Sequence, residues 1–151
     1  MIEPITSHLL PLELAVWLSR YGFDSLEARI ANQTTPLMHA SRLADLSAVQ
    51  SLLALGAERA ATNADGNNAL WLACFSGDLS VITALLGAQV PVDQQNENGA
   101  TSLMYAASAG KTEVVRALLL AGANPALRSL DGFTALEMAS NLGCLELLRR
   151  R

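Results

Sequence analysis

The groups that could do covalent or metal chemistry in this chain are two histidines, two cysteines and fourteen carboxylates. His8 and His39 have no cysteine or carboxylate near them at the short intervals a metal site requires. Cys74 and Cys144 are far apart, and two such residues make neither a disulfide framework nor a zinc knuckle. No nucleophile stands beside a base and an orienting acid, and the glycines do not form a phosphate-binding loop. The expectation is therefore no catalytic residue, no metal and no cofactor. The chain reads as a binder and not as an enzyme.

What remains is the chemistry of recognition. Between Ala60 and Gly110 stand Asp65, Asp78, Asp93 and Glu97 with no lysine or arginine, while the ten acids and ten bases outside that stretch cancel. The formal charge of −4 thus sits in the middle third, a surface that repels nucleic acid and anionic membranes. The triplet Arg149, Arg150 and Arg151 runs against this trend. It either complements the dipole of a last helix and keeps its end wet, or contacts nucleic acid or an anionic surface. The acidic neighbourhood favours the first reading. The apolar run from Leu9 to Leu18 is interrupted by Glu13 and preceded by Glu3, which argues against a signal peptide or a membrane span. A pair of isolated cysteines suits a reducing compartment, so a cytoplasmic location is expected.

The elements that must hold these groups are written as a repeat. Thr35-Pro36-Leu37-Met38-His39-Ala40 is followed 33 residues later by Asn68-Ala69-Leu70-Trp71-Leu72-Ala73, and then by copies beginning at Thr101 and Thr134. Gly66, Gly99 and Gly132 precede the later copies; Gly77, Gly110 and Gly143 follow them, with Ala44 at that place in the first. Apolar doublets come next, at Ala48-Val49, Val81-Ile82, Val114-Val115 and Leu147-Leu148, and then Leu52-Leu53, Leu85-Leu86 and Leu118-Leu119.

Each feature has a local cause. Thr or Asn caps a helix by accepting an orphan N–H, and Pro36 sits where a missing donor costs nothing. A short helix runs to the mid-repeat glycine, whose left-handed backbone permits a sharp turn. A second helix follows with its apolar residues on one face, and a polar turn such as 60–67 leads onward. Low aromatic content, 5%, with abundant Ala and Leu supports an all-α chain.

This pattern resembles the ankyrin repeat, as in Gly99-Ala100-Thr101-Ser102-Leu103-Met104-Tyr105-Ala106-Ala107-Ser108-Ala109-Gly110, then Leu118-Leu119-Leu120-Ala121-Gly122-Ala123. The resemblance covers residues 30–151, about four-fifths of the chain. It implies a solenoid of stacked helix-turn-helix units with β-turn or hairpin connections. One domain, 1–151, is expected, with repeats at 30–62, 63–95, 96–128 and 129–151, the last cut short so that Arg151 falls at the place of core Leu118. Residues 3–30 read as a degenerate capping unit in which Trp17 and Tyr21 cover the first repeat. The family's usual histidine is replaced by Met38, Trp71, Met104 and Glu137. Gln89 stands where Gly56 and Gly122 stand, so either that helix ends differently, at Gly87, or Gln89 is left-handed.

The resemblance also implies that a partner protein is bound by the turn tips and the exposed face of the inner helices. By the repeat step, Asp65, Asn67, Glu97, Asn98, Asp131 and Phe133 fall on turn tips, and Arg42, Phe75, Ser108 and Asn141 at the ends of inner helices. Phe75, Phe133 and Trp71 are candidate anchors, with filling of gaps between repeats as the equal alternative. Asp65, Glu97 and Asp131 would form an acidic row that steers a basic partner, or simply a solvated edge. His39 aligns with Leu72, Tyr105 and Met138 and is expected to be packed; Cys74 aligns with small residues and is expected in the core; Cys144 aligns with Asp45, Asp78 and Lys111 and is expected to be the more exposed thiol. The expected role is an adaptor, regulatory or inhibitory binding subunit. The rivals are the arginine contact above and a regulatory domain of a larger enzyme system. A capped solenoid needs no second copy, so a monomer is expected.

Overall fold

Each inner helix begins where the sequence supplies a side-chain acceptor. In the computed structural model, which describes residues 11–150, Thr35, Asn68, Thr101 and Thr134 accept the N–H of Met38, Trp71, Met104 and Glu137. These caps open α2 (Pro36–Arg42), α4 (Ala69–Ser76), α6 (Ser102–Ser108) and α8 (Ala135–Met138). Asp45, Asp78 and Asn141 do the same for α3 (Leu46–Ala54), α5 (Leu79–Gly87) and α9 (Leu142–Arg149), whereas Lys111 opens α7 (Thr112–Leu120) without a side-chain bond. Helix α1 (Pro11–Arg20) precedes them all. His8, Arg151 and the first residues of the 3–30 unit lie outside the described residues.

Helices of four to ten residues are too short to stand alone in water. They persist because they stack. The inner helices pack in the order α2, α4, α6, α8 and the outer ones in the order α1, α3, α5, α7, α9, with each inner helix also against its own outer partner. Between the layers lie Met38, Leu52, Leu70, Ile82, Leu85, Leu103, Met104 and Leu118, all fully buried. Each such side chain contributes roughly 1.5–3 kcal/mol of burial, more than the roughly 1 kcal/mol of a cap. The stack is held mainly by this shared interior. Among the described residues there is no strand, only an isolated antiparallel bridge between Ile30 and Thr34. The all-α solenoid expected from the repeat is what the chain forms.

The turns are tied to one another by backbone. The Ala64 N–H donates to the Asn32 carbonyl, Glu97 to Asp65, and Leu130 to Asn98, each at 3.0 Å. This close approach is why Gly99 is needed: its φ is +72°, and a Cβ there would lie 2.8 Å from the Leu130 nitrogen. Two places that are glycine in other repeats manage without it. Ala44 takes φ 58° and Gln89 takes φ 66°. Helix α5 ends at Gly87, the same repeat position as the ends of α3 and α7, so Gln89 adopts the left-handed conformation and the helix is not shortened.

The fourth repeat departs from the 33-residue step. Helix α8 stops after four residues, at Met138, and α9 starts with Asn141 as its cap, three positions before the step predicts. The cause is chemical. Asn141 offers an amide oxygen to the Cys144 N–H at 2.8 Å, and its Nδ2 donates to the Gly110 carbonyl at 2.9 Å; Cys144, at the expected cap position, offers no such acceptor. Three expectations are corrected as a result. Asn141 and Leu142 open the outer helix instead of ending the inner one. Cys144 becomes the third residue of α9 and is fully buried, not an exposed turn thiol. Leu148, 3% exposed, fills the core place of Leu118 that the step assigned to Arg151.

Candidate protein-binding groove

The inner helices and the turns before them form the two walls of a cleft between the first and second repeats, of about 470 Å³. Asn32, Thr34, Asp65 and Asn67 line its turn side; Met38, His39 and Arg42 of α2 and Trp71, Leu72 and Phe75 of α4 line its helix side. Phe75 is 50% exposed, with the Arg42 guanidinium 5.9 Å from its ring centre, at the outer limit of a cation–π contact. Trp71 leans on Tyr105 of α6 at 4.7 Å between ring centres, and Phe75 approaches the same ring at 6.2 Å. Three aromatic rings from two helices are thus in contact, Trp71 and Phe75 lining the cleft and Tyr105 packed against them.

Two polar atoms on this wall are enclosed without a hydrogen-bond partner, Trp71 Nε1 and His39 Nε2. A donor left so is costly, about 1–3 kcal/mol. His39 also sits among Trp17, Tyr21 and Phe23, with ring centres 6.0, 4.5 and 5.8 Å away. Burial and the nearby Arg42 charge hold its pKa below the ordinary histidine value. It is packed, as its place in the repeat suggested, while one edge faces the cleft.

Cys74 lies behind the cleft and is fully enclosed; burial pushes its thiol up to about 12, so it holds its proton and is no nucleophile. Burial, and then the neighbouring Cys74, likewise raises Tyr105 above the usual phenol value. No group of three or more His, Cys, Asp or Glu able to hold a metal is present among the described residues, and no helix there is long and apolar enough to cross a membrane. The side chains brought together here suit recognition: an apolar floor, hydrogen-bonding rims and charges of both signs.

A family model of three tandem ankyrin repeats matches residues 10–96 and again 70–150. The chain belongs to the ankyrin-repeat family. Ankyrin repeats are generally protein–protein interaction modules. No curated protein matches this ankyrin-repeat chain.

Arg42, Asp65, Asn67, Trp71 and Phe75 come together in the cleft. Asn67 is 7% exposed, not an open turn tip, because its Oδ1 accepts the Asn96 Nδ2 at 2.9 Å and joins two turns. Glu97, Asn98 and Asp131 are exposed on later turns, and Ser108 is exposed at the end of α6. Phe133, 49% exposed, and Asn141 belong to the fourth repeat and do not line this cleft. Tyr105 shares the repeat column of His39, which marks a packed position and not a neighbour of Trp71. Its only signal was diagonal: it lies 34 residues beyond Trp71, one more than the repeat step, so alignment by columns hid the pairing.

Proposed function

We propose that this ankyrin-repeat chain is an adaptor or regulatory binding subunit that seats a partner protein against the cleft of its first two repeats. The observation that carries this reading is the convergence of Trp71, half-exposed Phe75 and Arg42 on one concave wall. Tryptophan, tyrosine and arginine dominate interface energetics when they meet in a pocket. The turn tips add Asp65, Glu97 and Asp131, an acidic edge that favours a protein with basic groups over nucleic acid. Helix α1 serves as the N-terminal cap, with buried Trp17 laid over the first repeat, which suits a monomer. The two enclosed free thiols suit a reducing, cytoplasmic setting.

The test is affinity purification from native extract with the wild-type chain and with Trp71→Ala combined with Phe75→Ala. Recovery of the principal partner should fall at least tenfold, since anchors of this kind contribute on the order of 2 kcal/mol. Melting of the double variant is measured in parallel to establish that it folds. Equal recovery by a folded double variant would overturn the proposed site.

A further inference from the structure

The cleft has opposite charges at its two ends. At the turn end the Asp65 carboxylate accepts a hydrogen bond from Asn32 Nδ2 at 3.1 Å and has no cation beside it among the described residues. At the helix end Arg42 is exposed, lies over Phe75, and has no carboxylate beside it among the described residues. Asp65 stands on the turn side of the cleft and Arg42 at the last residue of α2, on its helix side. Between them lies the apolar floor of Met38, Trp71 and Leu72, with a half-exposed aromatic ring at its margin. Neither charge is paired among the described residues, so both are available to a guest.

We infer that the occupant of this cleft is an extended protein segment carrying a basic and an acidic side chain, with an aliphatic or aromatic residue between them. This rests on the cleft being the binding site, as proposed above. The base meets Asp65, the acid meets Arg42, and the apolar side chain settles on the Trp71 floor. Both contacts at the rims are solvent-facing, so they select among partners and tune the on-rate more than they supply affinity, and added salt weakens them. A segment with bases alone would satisfy the turn tips and leave Arg42 facing like charge.

The experiment is selection of a random linear peptide library on the purified full chain. Synthetic copies of the enriched peptides are then titrated by fluorescence anisotropy against wild type, Arg42→Glu, Asp65→Lys and Trp71→Ala with Phe75→Ala. Both charge positions are exposed side chains, and Asp65 keeps its turn through its backbone carbonyl, so those variants should fold. The expected result is enrichment of base–apolar–acid or acid–apolar–base segments. Affinity should drop about tenfold in Arg42→Glu and recover when the peptide's acid is exchanged for lysine, with the mirror result for Asp65→Lys. No enrichment, enrichment of purely basic peptides, or indifference to both charge exchanges overturns the inference. If binding then still requires Trp71 and Phe75, the cleft reading survives without it; if binding ignores the aromatic pair too, that reading falls as well.

Discussion

The indole Nε1 of Trp17 donates to Oδ2 of Asp45 at 2.9 Å, while Oδ1 of the same carboxylate accepts the N–H of Ala48 at 3.2 Å. One side chain therefore caps α3 and fastens the preceding helix α1 to it. Asp78 caps α5 through the Val81 N–H alone. Asp45→Ala should cost about 2 kcal/mol, a lost cap plus a lost charge-assisted bond, against about 1 kcal/mol for Asp78→Ala. At roughly 3 °C per kcal/mol for a chain of this size, thermal melting should separate the two by about 3 °C. Equal melting temperatures would show that the Trp17 contact adds nothing.

Gln89 carries a left-handed backbone at an exposed position. A non-glycine residue there is strained by about 1–2 kcal/mol, partly offset by the greater chain entropy that glycine loses on folding. Gln89→Gly, which restores the residue type found at Gly56 and Gly122, should raise stability by about 0.5–1 kcal/mol in a denaturant titration. A decrease would mean that the Gln89 side chain contributes something its geometry does not reveal.

Both cysteines are free and enclosed, and Cys74 is held strongly protonated by its burial. In native protein at pH 8 a disulfide reagent such as DTNB should find neither thiol quickly, and both after unfolding. Fast reaction of Cys144 would place it on an open turn and restore the unbroken 33-residue step in the fourth repeat.

His39 supplies a pH dependence whose sign follows from its lowered folded pKa. Burial penalises the imidazolium, and Arg42 repels it; the rings of Trp17, Tyr21 and Phe23 offer no anion. The unfolded chain thus binds the proton more readily. The stability owed to neutral His39 is complete above about 6.5 and is lost as pH falls from there through the lowered folded value. Melting temperature should decline between pH 7 and 5, and His39→Leu, matching Leu72 of the next repeat, should flatten that decline. An unchanged slope would remove His39 as its source.

The sequence made most of the stack legible because stacking is periodic. Caps, left-handed turns and Leu pairs recur for one local reason each, so Thr35, Asn68, Thr101 and Thr134 mark four helices without any tertiary information. What stayed hidden was whatever broke the period. At Asn141 a good local acceptor outcompeted the repeat step and moved Cys144 and Leu148 into the core. The Thr134–Glu137 capping box was there to be read, but column alignment treated Glu137 as a replaced histidine and nothing more. The cleft was legible residue by residue, through Arg42, Trp71 and Phe75, yet the ring packed against its two aromatics, Tyr105, comes from an adjacent repeat at an irregular offset.

The single-turn α8 gives the molecule a soft side and a firm one. Four residues of helix hold few amides against solvent, so hydrogen exchange there should proceed through local fraying, whereas amides of α2 and α4 should wait for global opening. Warming would then loosen the fourth unit while the first two remain shut. Opening of the cleft walls and melting of the distal end become nearly independent events, and a chain already half undone would still present α2 and α4 in place.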